Sequence, residues 1–528
     1  MYDLVFKNGL VCDGMGGEPY RGWVAVKEGK IAAVGTLEPP PGAESVDCGG
    51  LAVAPGFIDI HSHSDACFLT DDACEAKLFQ GVTTEVVGQC GFSLFPCPPG
   101  REGDLKLLST GLGGGTADYV TTSFARYREK AYGRKMATNL FQLIGHGALR
   151  AATVGFDGRE PTDKELADMC ALLDIALSEG AAGLSLGLGY APGCFATKRE
   201  LRALGEVVAK HDGVVTSHMR NQSDKLPEAL EEMYDINRHS GARVHISHLK
   251  AARRANWGKA PMVMANIRHA KADGVAVTAD LYPYTAAASG ITNSGFPKWS
   301  LEGGVTAVCR RLQNEERGAV LSALEEYYCD EAVGRGEVIV STFGKYPVAD
   351  GKSIYELSKE LGLTMAETAA LVTVKTGADC SCISFTMSEE DVNYLLSQPD
   401  LAIGSDGYAY PLDPAKNSGK PHPRSFGTFP RFLRLAREQK LCPLGLAVRR
   451  ITGLSAEMMG IEGRGKLLPG YAADLTVFNS ETVSDRAEYD DPFRAPEGIV
   501  HVVMAGEFAL RDGSQTPARL GSYLLKAR

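Results

Sequence analysis

An α/β fold built on a (β/α)8 TIM-like barrel is predicted by three features of this 528-residue chain. Eight short apolar runs alternate with helical segments between residues 57 and 406, the pattern of a parallel sheet wound into a barrel. The runs are nearly continuous in apolar residues, as in Gly213-Val-Val-Thr-Ser217, which suits strands covered on both faces. Both chain ends instead carry short β-branched runs with turn signals, so a small β-domain built from the two ends is expected beside the barrel.

Residues 2–12 and 22–35 are β-branched runs broken at Asn8-Gly9 and Glu28-Gly29, and read as hairpins. Pro39-Pro-Pro-Gly42 is a turn or linker, and residues 51–55 lead into the barrel. The eight runs span 57–61, 82–88, 139–146, 182–187, 213–218, 243–248, 275–281 and 401–406. Helical patterns between them include 164–177, 198–210 and 226–238. The connection from the seventh run to the eighth, about 285–400, is too long for a plain βα loop. It carries helix patterns at 303–329 and 364–376, the second opened by a Thr364/Glu367 capping box. An insertion between strands 7 and 8, about 290–395, is therefore expected beside the barrel mouth. The glycine run at 111–115 lacks phosphate-loop spacing and reads as a mobile loop, while 443–459 reads as helix and 473–478 and 499–504 as strands. The expected division is 1–54 plus 465–528 for the β-domain and 55–464 for the barrel.

Composition narrows the function classes. With 44% hydrophobic and 23% charged residues the chain is an ordinary globular protein. A net charge of -10 and a pI near 5.7 argue against a general nucleic-acid surface. The absence of an 18-residue apolar run argues against a membrane span. Met1–Lys7 lacks signal-peptide zones, and thirteen cysteines, an odd number, fit reduced thiols. A cytoplasmic location is expected, and oligomeric state leaves no signal. Cys380-Ser-Cys382 has no matching pair nearby and reads as packing rather than a metal site.

The chemistry is carried at the ends of the runs. His61 and His63 sit one residue apart on the first, so both imidazoles project the same way and suit a divalent ion; a surface pair beside a turn is the plainer alternative. Cys90, His218, His248 and Asp406 fall at the C-terminal ends of four other runs, the face where barrel active sites are built.

Nine motifs together resemble the metal-dependent amidohydrolases, and more closely their N-acyl-D-amino-acid deacylase (D-aminoacylase) branch. They are Gly56-Phe-Ile-Asp-Ile-His-Ser-His-Ser-Asp65, Gly88-Gln-Cys-Gly-Phe-Ser93, Gly145-His-Gly-Ala-Leu-Arg150, Gly187-Leu-Gly-Tyr-Ala-Pro192, Ser217-His-Met-Arg220, Ser247-His-Leu-Lys250, Asp280-Leu-Tyr-Pro-Tyr284, Gly404-Ser-Asp-Gly407 and His422-Pro-Arg-Ser-Phe-Gly-Thr-Phe-Pro430. The resemblance implies one tight zinc on Cys90, His218 and His248, and a weaker second site on His61, His63 and Asp406. A thiolate and two imidazoles leave a zinc position open, as catalytic sites do. Asp406 is then the catalytic proton acceptor and donor in hydrolysis of the amide of a small-molecule N-acyl amino acid. The resemblance also implies a substrate-carboxylate grip by Lys250, Tyr284 and Arg424, with Tyr190 and Ser289 lining the pocket; His146 is expected in a supporting role behind the ligands. The stretch between Asp406 and His422, and the chain as a whole, are longer than the family pattern leads one to expect.

Rival readings remain at this stage. A hydantoinase- or dihydroorotase-like cyclic amidase uses a carboxylated Lys on its fourth strand, and 182–187 contains none. A hydrolase of dipeptides holding a D-residue would use the same groups. A catalytically silent metal-binding barrel would be signalled by loss of Asp406 or Cys90, and both are present. Arg253 or Arg254 could supply a cation for an acidic substrate side chain, or could face solvent.

Overall fold

The structure is a computed structural model and describes residues 1–70, 73–109, 120–132, 136–329, 337–417 and 419–526; the glycine run at 111–115 lies outside them. Its central sheet is a nearly closed barrel of eight parallel strands: β1 (Phe57–Asp59), β2 (Val82–Val87), β3 (Asn139–Gly145), β4 (Gly183–Gly187), β5 (Val214–His218), β6 (Arg243–Ile246), β7 (Val277–Leu281) and β8 (Ala402–Ile403). Each pairs with its neighbours in sequence order. Closure runs through the segments just beyond β8 and β1, where Asp406 N–H donates to His61 O at 2.7 Å and His63 N–H to Gly407 O at 2.9 Å. Helices Asp163–Ser178, Lys198–Lys210 and Leu226–Ser240 cover the outside.

Several strands stop before their apolar runs do, and the reason is local. Cys90, His248 and Asp406 have φ of 54°, 39° and 51°, left-handed backbone that costs about 1 kcal/mol or more per residue. The chain leaves the pleat at these points and turns over the barrel mouth.

A second, nine-stranded sheet joins the two ends of the chain. Tyr2–Val11 pairs with Tyr20–Lys27, and Ala52–Pro55 pairs antiparallel with Leu475–Phe478. Leu4, Phe6, Val24, Val53, Leu475, Val477 and Val503 form its core. Glu28-Gly29 turns a hairpin, whereas Asn8-Gly9 does not: Asn8, at φ 63°, makes a bulge inside one continuous strand. Between β7 and β8 lies a three-stranded sheet, Ala287–Gly290, Ser381–Ser384 and Val338–Ser341, with its own apolar cluster that includes buried Cys380 and Cys382.

Two helices expected as single rods are broken. The pattern at 303–329 folds as Gly304–Arg311 and Arg317–Cys329, parted where Asn314 Oδ1 accepts from Glu316 N–H at 2.9 Å. The 443–459 pattern folds as Leu444–Arg450 and Gly453–Met459, divided at Thr452 with φ -140° and ψ -94°. The Thr364/Glu367 capping box forms. Among the described residues no helix is long and apolar enough to cross a membrane.

Candidate metal centre

Cys90 reaches the barrel mouth through two close backbone approaches. A Cβ at Gly88 (φ 77°) would fall 2.1 Å from Leu143 O, and one at Gly187 2.1 Å from Cys90 O, so the loop after β2 needs glycine on both sides. Gln89 ties this loop across the barrel, donating to Ile60 O at 3.0 Å and accepting from Thr216 Oγ1 at 2.9 Å.

Two groups of potential ligand atoms meet there, each with all its atoms within 4.8 Å of one another: His61, His63, Cys90 and Asp406, and Cys90, His218 and His248. Cys90 belongs to both. Its Sγ lies 3.4 Å from His61 Nε2, 3.5 Å from His248 Nε2 and 4.0 Å from His218 Nδ1. His218 Nδ1 is 3.0 Å from His248 Nε2, and His63 Nε2 is 3.0 Å from Asp406 Oδ1.

The electrostatics suit a cation. Burial alone would raise the Cys90 thiol, but the His61 and His248 imidazoles and the His218 contact outweigh it and hold Cys90 well below the usual thiol range. Asp406 is likewise raised by burial and then lowered further by Arg424, His248 and His63, ending well below the carboxylate range. A thiolate, a carboxylate and four imidazoles are the donors zinc takes, so the residues present fit that ion.

The remaining expected residues divide. Arg424 Nη1 stands 2.7 Å from Asp406 Oδ2, and Nη2 donates to Ala288 O at 3.2 Å. Tyr190 OH is 3.0 Å from His218 Nδ1. Lys250 Nζ donates to His248 Nδ1 at 3.0 Å, and its pKa is drawn down to about 8, chiefly by burial. Tyr190, Ser289 and Arg424 line one cavity with His63, Cys90 and Asp406. Tyr284 instead packs behind the site, edge-on to His422 with Arg431 over its ring, its OH donating to Pro423 O at 3.4 Å. Tyr282 takes the facing position, with Lys250 and Arg424 5.3 and 5.0 Å from its ring centre. His146 is bound to Glu200 at 2.7 Å, which also holds Arg150. Arg254 pairs with Glu337 and Arg253 lies over the Tyr327 ring; neither is on the cavity wall.

Three further residues act on the ligands. Asp280 lies 3.4 Å from His61 Nδ1 and accepts from His248 N–H at 2.9 Å. Gln222 Nε2 is 3.0 Å from His248 Nδ1. Buried Lys77 donates to Asp59 at 2.6 Å and to Ser405 at 2.8 Å, beside Asp406. The sequence held a signal for Asp280, a charge closing the apolar run 275–281, because an acid there is buried and must face a partner.

The sequence pattern of the amidohydrolase family matches residues 44–509. An N-acyl-D-glutamate deacylase of Alcaligenes xylosoxydans xylosoxydans is 34% identical over 522 residues, 98% of this chain and 96% of its own. The crystal structure of N-acyl-D-glutamate deacylase from Bordetella bronchiseptica, complexed with zinc and a phosphonate mimic of the tetrahedral intermediate, superposes with a TM-score of 0.83 at 32% identity, covering 100% of both chains. A D-aminoacylase structure on the role of its binuclear metal centre, with one-metal activation and second-metal attenuation, gives a TM-score of 0.84 at 31% identity over 99% of this chain and 100% of that one.

Proposed function

This chain belongs to the amidohydrolase family, and from that premise we propose that it hydrolyses the amide of N-acyl-D-amino acids, giving a carboxylate and the free D-amino acid. The observation that carries the reading is the Cys90, His218, His248 group sharing its thiol with the His61, His63, Asp406 group, with Arg424 beside Asp406. Cys90, His218 and His248 would hold a tight zinc; His61, His63 and Asp406, with Cys90, would hold a second and weaker one. Zinc bound there supplies a Lewis acid toward the acyl oxygen and makes water more acidic.

This chain's own residues do the rest. Asp406, its Oδ1 beside His63 and its Oδ2 beside Arg424, accepts a proton from attacking water and returns it to the leaving amine. Arg424 takes the substrate carboxylate, a planar guanidinium being able to give it two hydrogen bonds, whereas Lys250, which the resemblance paired with it, donates to His248 Nδ1 and borders a separate small pocket. Tyr190 and Ser289 flank it, and Tyr282 rather than Tyr284 stands between the two cations. The stereochemical preference rests on the relatives named above. The odd count of thirteen cysteines supports a reducing, cytoplasmic setting.

Amine release from matched N-acetyl-D and N-acetyl-L amino acids, with zinc quantified, tests the reading. Release from the D series alone is expected; none from either series with zinc bound overturns it.

A further inference from the structure

The cavity beside the candidate metals is lined by His63, Cys90, Asp406 and Arg424, with the Phe92 ring 6.5 Å from that of His63. The same lining includes an apolar group, Leu107, Leu108, Phe156, Leu301 and Val305. It is tightly built: Leu108 and Phe156 share a cluster with Phe92 and Leu107, and a Cβ at Gly304 would fall 2.6 Å from Leu107 and 3.2 Å from Phe156. The helix Gly304–Arg311 of the insertion thus closes against the helix Glu102–Ser109 over an apolar floor.

Among the described residues Arg424 is the one Lys or Arg on this wall. Lys250 borders a separate small pocket with His248 and Tyr282. Arg253 and Arg254, the cations next along the chain, are engaged by Tyr327 and Glu337. Residues 110–119, which follow Leu107 and Leu108 in sequence, contain no Lys or Arg. The α-carboxylate would occupy Arg424, leaving no other Lys or Arg among the described residues of this wall for a second carboxylate, and a buried unpaired charge is strongly disfavoured.

We propose that this chain selects N-acyl-D-amino acids with apolar side chains, seated between Leu107, Phe156, Leu301 and Val305, and rejects the D-glutamate and D-aspartate derivatives. The inference rests on the deacylase reading above. Its test is kcat/KM for the N-acetyl derivatives of D-leucine, D-methionine, D-phenylalanine, D-glutamate and D-aspartate, on wild type and on Val305→Arg. Wild type is expected to favour the apolar series by at least about a hundredfold, since a site with unpaired charge discriminates steeply. Val305→Arg, which places a cation on the apolar wall, is expected to shift the ratio toward the acidic substrates by about tenfold or more. Hydrolysis of the D-glutamate or D-aspartate derivative by wild type within tenfold of D-leucine overturns the inference while leaving the deacylase reading standing. Failure to release amine from any of the five removes both readings together.

Discussion

The Asp280 carboxylate stands 3.4 Å from Nδ1 of His61, both side chains fully buried. Oδ2 also meets His245 Nε2 at 2.8 Å, and Oδ1 accepts from the His248 N–H at 2.9 Å. One acid therefore orients a ring just beyond β1 and the backbone of a ligand after β6. Burial would raise this carboxyl, but His61 and His245 outweigh that and hold it far below the usual range. Asp280→Asn keeps an acceptor for His248 N–H and loses the charge behind His61. Zinc affinity at the His61, His63 site is expected to fall about 10–100-fold, read by chelator competition; undiminished affinity would show that Asp280 does not tune that ring.

Cys90→Ala and Asp406→Asn separate metal holding from proton transfer. Cys90 belongs to both ligand groups, so its loss is expected to strip bound zinc and activity together. Asp406→Asn retains an oxygen donor but cannot take a proton. It should keep the tight zinc while kcat falls by about 10²–10⁴. Zinc content by atomic absorption beside turnover distinguishes the two, and near-normal kcat in Asp406→Asn would remove Asp406 from the chemistry.

Arg424→Lys tests carboxylate binding. The guanidinium reaches Asp406 Oδ2 at 2.7 Å and Ala288 O at 3.2 Å with different nitrogens, a span one ammonium does not reproduce. KM is expected to rise about tenfold or more, with a smaller change in kcat. A change confined to kcat would place Arg424 in the proton step instead.

A surface feature gives a pH dependence with a definite sign. Glu165 is pulled down to about 2, first by its bond to Arg159 and then by Thr162, whose N–H and hydroxyl it accepts in a capping box. Because the folded value is depressed, its stabilisation is complete above the usual carboxylate pKa of about 4.3. It is lost as the pH falls from there toward 2. Glu165→Gln should weaken the first turn of helix Asp163–Ser178 by about 0.5–1 kcal/mol at pH 7, seen in hydrogen exchange. The difference from wild type should shrink below about pH 4; a gap that widens on acidification would contradict the assignment.

The barrel was legible because buried parallel strands leave apolar runs that need no partner to be seen. The candidate ligands were legible for a related reason: His61, Cys90, His218, His248 and Asp406 each follow such a run. What sequence could not rank was position across the barrel. Tyr282 and Tyr284 are chemically alike and two residues apart, and only the packing of His422 and Arg431 against Tyr284 decides which faces Arg424. Asn8-Gly9 misled because the same left-handed residue serves a hairpin turn or a bulge, and pairing with Tyr20–Lys27 selects the bulge.

Lys77 lies on a four-residue helix, Glu75–Leu78, where sequence alone shows an ordinary Lys. Fully buried, it reaches Asp59 Oδ2 at 2.6 Å and Glu85 Oε2 at 3.5 Å. Burial lowers its pKa, but those two acids outweigh burial and raise it above the ordinary value. Glu85 in turn accepts from Ser62 and Ser64, both at 2.6 Å, and Asp59 from the Ser405 N–H at 2.8 Å, so one cation braces the backbone on both sides of the metal ligands. Lys77→Met leaves two acids without it and should destabilise the fold by about 3–5 kcal/mol, measured by urea unfolding. Adding Asp59→Asn removes one of the stranded charges, so the double variant should be more stable than the sum of the single effects predicts. Strict additivity would mean that Lys77 contributes volume rather than charge. The brace beneath His61 and Asp406 would then rest on the serine hydrogen bonds alone.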